Sequence, residues 1–121
     1  MRGLLLTIAV LLLSACSTAE ERQHLRLMEQ IEKQVRMPTG SRPLAHYARY
    51  YAFDQHGRVS AIYTTFLEPD YESLDLPLGQ RRWVSDERKL PGISDGGCGV
   101  VEVLFDPATG EIERAECNGL A

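Results

Sequence analysis

From residue 19 onward the apolar positions follow two successive patterns. Leu25, Met28, Ile31 and Val35 recur at three- and four-residue steps, the spacing that lays one apolar stripe along a helix. Thr18 and Glu21 have the Thr-x-x-Glu spacing of a capping box, and Glu20, Glu21 and Arg36 carry the charges a helix dipole favours at its two ends. Glu29 stands four residues before Lys33 and Glu32 four before Arg36, the order in which surface pairs support a helix. Pro38 and Gly40 break the pattern, so a helix is predicted over about residues 19–37. Beyond the breaker segment 38–43 the chain turns to aromatic and β-branched residues, which suit a pleated surface.

Five strands follow from that second pattern. Residues 44–53 hold Tyr47, Tyr50, Tyr51 and Phe53; the turn Asp54-Gln55-His56-Gly57 then returns the chain through residues 58–67 as a hairpin. Residues 68–79 contain Pro69, Pro77, Glu68, Asp70, Glu72 and Asp75 with no period, and read as an exposed loop. A short strand is predicted around Trp83 at residues 80–85, a loop over 86–97, and a strand at 99–106 carrying Val100, Val101, Val103, Leu104 and Phe105. Asp106-Pro107-Ala108-Thr109-Gly110 is a turn in which proline presets one torsion and glycine takes the left-handed position, and residues 111–118 form the last strand. One helix ahead of four or five strands predicts an α+β domain, the helix packed on a small antiparallel sheet as in cystatin-like folds.

Residues 1–15 follow another logic. Arg2 precedes an apolar run from Leu4 to Leu13, interrupted only by Thr7, and small residues follow. This is the layout of a secretory signal peptide, and the run is too short to span a bilayer as a helix. The residues Leu13-Ser14-Ala15-Cys16 resemble the lipobox of bacterial lipoproteins. The resemblance implies cleavage before Cys16, lipidation of its sulfur and an acyl chain such as palmitate on its amine, so that residues 16–121 form one domain anchored to a membrane. Ser17 stands where an aspartate favours inner-membrane retention in that class, which implies the outer membrane, periplasmic face, as destination.

The whole chain has 121 residues, 44% of them hydrophobic and 25% charged, which fits one globular domain after the signal. Its formal net charge is -4, and such a chain is ill suited to nucleic acid, whose phosphates are bound by clustered Lys and Arg. With Cys16 assigned to the anchor, Cys98 and Cys117 remain, and in an oxidising compartment they are expected to pair. A strand register with Asp106 opposite Glu111 places Val100 opposite Cys117 and Cys98 opposite Gly119. The pairing therefore calls for a bulge, which Gly96, Gly97 and Gly99 can supply.

Motifs with chemistry are sparse. His24, His46 and His56 lack metal-ligand spacing, and the carboxylates Glu68, Asp70, Glu72 and Asp75 lack the spacing and glycine of a calcium loop; no metal or cofactor is expected. Tyr47, Tyr50 and Tyr51 suit sheet packing better than a recognition surface, and Arg81-Arg82-Trp83 is too small for a basic patch. The loop Ser94-Asp95-Gly96-Gly97-Cys98-Gly99 lacks the setting of a hydrolase elbow. The sequence thus points to a lipid-anchored envelope lipoprotein with a small non-enzymatic binding or structural domain and an envelope protein as partner. One alternative is an inhibitor of a basic cell-wall hydrolase of the lysozyme type, which negative charge would steer. The other is a small envelope enzyme using Asp95 and Cys98 with a histidine as base.

Overall fold

The structure, a computed structural model, describes residues 19–119, and the chain divides into two compact units, Met1–Gln30 and Ile31–Ala121. The lipobox, the signal segment and the cap residue Thr18 lie outside the described residues. Helix α1 covers residues 19–34 and crosses the boundary between the units. It ends sooner than its periodicity predicts: Val35 N–H still donates to Ile31 at 2.8 Å, but Met37 precedes a proline, which disfavours helical torsions there. Leu27, Met28 and Ile31 are its buried positions, and Leu25 is exposed. At about 100° per residue Leu25 projects about 160° round the axis from Leu27, off the stripe.

The second unit holds a five-stranded mixed sheet: β1 (Ala48–Phe53), β2 (Val59–Thr64), β3 (Arg81–Trp83), β4 (Gly97–Asp106) and β5 (Glu111–Asn118), in the order β3-β1-β2-β4-β5. With the helix this is the expected α+β class. One pairing departs from an antiparallel sheet: β3 lies parallel to β1, with Arg49 opposite Arg81 and Tyr51 opposite Trp83. Local hairpin signals cannot register a parallel neighbour, because parallel strands require a crossover. Residues 44–46 form a 3-10 turn rather than the start of a strand.

Both hairpin turns form as expected. Asp54 closes the first, its carboxylate accepting from His56 N–H at 2.8 Å and Arg58 N–H at 3.0 Å. In the second, Gly110 donates to the Asp106 carbonyl at 2.8 Å with φ +71°, the left-handed torsion that selects glycine. An extra residue at Glu113 shifts the register by one, so Val101 and not Val100 faces Cys117. Gly97 then faces Asn118, which leaves Cys98, Gly99 and Val100 bulged out of the ladder. The bulge brings Cys98 to 4.6 Å from Cys117, Cα to Cα, and the two are joined by a disulfide. Gly96 makes room for it, since a Cβ there would lie 2.5 Å from Val100 Cγ2.

Pleating sorts the strands between two faces. One face carries Arg49, Tyr51, Arg81, Trp83, Tyr63, Val101 and Phe105, and the last turn of α1, with Ile31 and Glu32, lies against it. The other carries Ala48 and Tyr50, covered by Leu76, Val84 and Leu90 from the two connections that flank β3.

Four core tyrosines are fully buried, and every hydroxyl has a partner. Tyr47 donates to the Cys98 carbonyl at 2.6 Å and accepts from Arg42 N–H. Tyr50 accepts from Leu76 N–H at 3.0 Å, and Tyr51 and Tyr63 share a hydrogen bond of 2.9 Å. Burial raises the phenols of Tyr50, Tyr51 and Tyr63 above the ordinary tyrosine range, and the Glu32 charge adds to the effect at Tyr51 and Tyr63. The folded state therefore holds these protons more tightly than the unfolded chain does. The stability they contribute is whole below pH ~10 and is lost as the pH climbs beyond it. In a spectrophotometric titration at least three of the five tyrosines should ionise only together with loss of the far-ultraviolet circular dichroism; their ionisation in an intact fold would contradict this.

Candidate functional site

Two places concentrate polar chemistry. The first is internal to the second unit. Glu32, on the last turn of α1, sets one carboxylate oxygen 2.6 Å from Arg49 Nε and the other 2.5 Å from Arg81 Nη1. The Arg49 and Glu32 side chains are only 11% and 12% exposed. Arg49 Nε–H is not aimed at the oxygen, so that contact is an ion pair without a directed hydrogen bond. The same guanidinium donates through Nη1 to the Leu44 and Tyr47 carbonyls at 3.3 and 3.4 Å. Beside it, Trp83 stacks on Tyr51 at 6.5 Å and meets Phe53 edge-on at 4.9 Å. One carboxylate engages both guanidiniums and ties α1 to two strands, which makes the cluster a joint of the fold.

The second place is exposed. Residues 65–80 carry the chain from β2 past the start of β1 to β3, pinned by Gly79 N–H on the Tyr47 carbonyl at 3.1 Å and by Leu76 on Tyr50. Ahead of these pins the loop is closed by its own hydrogen bonds, Glu68 N–H to the Leu74 carbonyl and Leu74 N–H to the Tyr71 carbonyl. Phe66, Leu67, Tyr71 and Leu78 all point outward, four of the five large hydrophobic residues exposed among the described residues. Tyr71, Glu72, Ser73, Arg82, Val84 and Lys89 line a cleft of about 400 Å³ beside it. An aromatic ring, an apolar wall and charges of both signs suit recognition by contact.

The residues singled out by sequence fall in different places. Cys98 is bonded to Cys117, so its sulfur is no free nucleophile, and Asp95, exposed at φ +55°, belongs to the turn that leads into the bulge. His46 and His56 are exposed beyond opposite ends of β1, roughly 20 Å apart along a six-residue strand, and His24 lies on α1. Tyr47, Tyr50 and Tyr51 are core residues. The pleat sends Arg81 to Glu32 and Arg82 to Asp75, 2.7 Å away, so the two arginines share no patch. Among the described residues no His, Cys, Asp and Glu side chains group into a metal site. Sequence reasoning paired Glu32 with Arg36, and its actual partners, 17 and 49 positions on, leave no local signal. Nothing in the sequence marks Phe66 and Tyr71 of the loop as outward-facing rather than buried.

The chain matches no protein-family model, no curated protein and no solved structure. Replacing Glu32 by Gln keeps the shape and removes the charge, leaving two neighbouring guanidiniums without their anion. The expected loss is about 2 kcal/mol in urea unfolding, less than for breaking a fully buried pair because Arg81 reaches solvent. An unchanged midpoint would show that the ion pairs do not hold the unit together.

Proposed function

We propose that the chain is a lipid-anchored lipoprotein of the bacterial outer membrane whose periplasmic domain acts by binding rather than by catalysis. One observation carries the anchoring. The disulfide takes up Cys98 and Cys117, and the one cysteine outside that pair is Cys16, at the end of the Leu13-Ser14-Ala15 motif. Among the described residues no helix is long and apolar enough to cross a membrane, and in this reading lipid chains on Cys16 make the attachment. In cells fed labelled palmitate, the wild-type chain should take up label and lose residues 1–15. Cys16→Ser should abolish labelling without touching the Cys98–Cys117 bridge. An unlabelled wild-type product still beginning at Met1 removes the anchor.

The exposed loop favours one class of partner. Glu68, Asp70 and Glu72 are interspersed with Phe66, Leu67 and Tyr71, so apolar contact area lies beside negative charge on a chain of net charge -4. A basic protein of the envelope fits that surface, and a cell-wall hydrolase of the lysozyme type, blocked by the contact, is the specific version. The lipoprotein should be retained on immobilised lysozyme at low salt and released as salt screens the charges. Absence of retention at low salt removes the inhibitor reading and leaves the anchor untouched.

A further inference from the structure

The two edges of the sheet differ in kind. β3 is three residues long, and both its arginines are held in ion pairs. β5 is eight residues long, contains no proline, and among the described residues pairs on one side only. Its outer row of backbone N–H and C=O groups is a template for another strand. We infer that this edge pairs antiparallel with β5 of a second copy of the chain, across a two-fold axis at Ala115.

Two constraints select that axis. In an antiparallel ladder, opposed residues both turn their backbone groups toward each other or both turn them away. From Arg114 to Cys117 of β5 these orientations alternate, the inward ones being committed to β4. A strand meeting its own copy must therefore put residues of equal parity opposite each other, and the axis passes through a residue, never between two. Charge then chooses the residue. An axis at Glu113, Arg114 or Glu116 sets a charge against itself, and one at Ile112 sets Glu111 against Glu113. An axis at Ala115 places Arg114 opposite Glu116 of the other copy, twice by symmetry. Cross-strand pairs of opposite charge are favourable and directly opposed like charges are not.

The surroundings fit. Arg114 and Glu116 lie on the same face of β5, about half exposed, and form an ion pair with each other at 3.4 Å. That weak surface contact can exchange for the intermolecular one. The small side chain of Ala115 lets the strands close at the axis. The bulge at Glu113 and the break opposite Cys98, Gly99 and Val100 of β4 bound the regular stretch at residues 114–117; within it an axis at Arg114 or Glu116 opposes like charges, and one at Cys117 runs off its end. The contact is isologous and closes on itself, which ends growth at two copies. It is a property of the sheet edge and holds whether or not the chain carries lipid.

Sedimentation of the full chain in detergent over a concentration series tests the pairing. The wild type should form a reversible dimer. Arg114→Glu and Glu116→Arg should each weaken it by about tenfold or more, because each turns two attractions into two repulsions. The double variant Arg114→Glu/Glu116→Arg should recover most of the affinity, since the exchanged charges face each other again. Circular dichroism of these exposed variants checks that the fold is kept. A monomer at every concentration overturns the proposal. So does a dimer indifferent to the single reversals, or a double variant no tighter than the singles.

Discussion

Glu32 solves a problem that the sheet creates for itself. The parallel register of β1 and β3 sets Arg49 directly beside Arg81, and two cations side by side on neighbouring strands repel. With only three residues paired, that edge has little ladder energy to oppose the repulsion. Glu32 places one oxygen on each guanidinium, so the repulsion becomes a bridge and the last turn of α1 is tied to both strands at once. The placement of β3 depends on it. So do the two connections that run to and from β3, which supply Leu76, Val84 and Leu90 to the opposite face. Remove the carboxylate, and the arrangement on both sides of β1 loses its reason.

The buried tyrosines extend the same logic to neutral groups. A phenol brings large apolar area into the core but must satisfy its hydroxyl there. Each hydroxyl is satisfied by something distant in sequence: Tyr47 by the start of β4, Tyr50 by the loop after β2, Tyr51 by Tyr63 on the neighbouring strand. A phenylalanine in any of these places would fill the volume and lose the link. The aromatic cluster between residues 47 and 51 is thus what fastens β1, near the middle of the sheet, to its surroundings, which explains why none of it is left at the surface.

Local signals carried much of this into the sequence. The capping charges and apolar stripe marked the helix, proline and glycine marked the Asp106–Gly110 turn, and the glycines around Cys98 foretold the bulge that the disulfide needs. What escaped were interactions set by topology. The periodicity points to Leu25 and the structure buries Leu27, because a period alone does not fix the helix rotation. Helical spacing offers Glu32 a partner four residues away, and nothing in the chain announces Arg49 or Arg81. The parallel strand was invisible for the same reason. The exposed loop showed its carboxylates readily, whereas its outward Phe66, Leu67, Tyr71 and Leu78 look in sequence like any other buried apolar residues.

Seen from its edges, the sheet is finished by devices other than the ladder itself. At one edge β3 is too short to hold by backbone pairing, and side-chain charges hold it, Glu32 on one face and Asp75 on the other. At the other edge the ladder of β5 is long but interrupted where Cys98, Gly99 and Val100 leave it, and the disulfide closes the interruption. A bond at that position ties the end of the outer strand to β4, and through the Tyr47 hydroxyl to the segment that leads out of the helix. The covalent link therefore lies where the ladder is interrupted, and it holds the end of β5 to β4. An edge held in that way can pair in one register, whereas a frayed one would accept many.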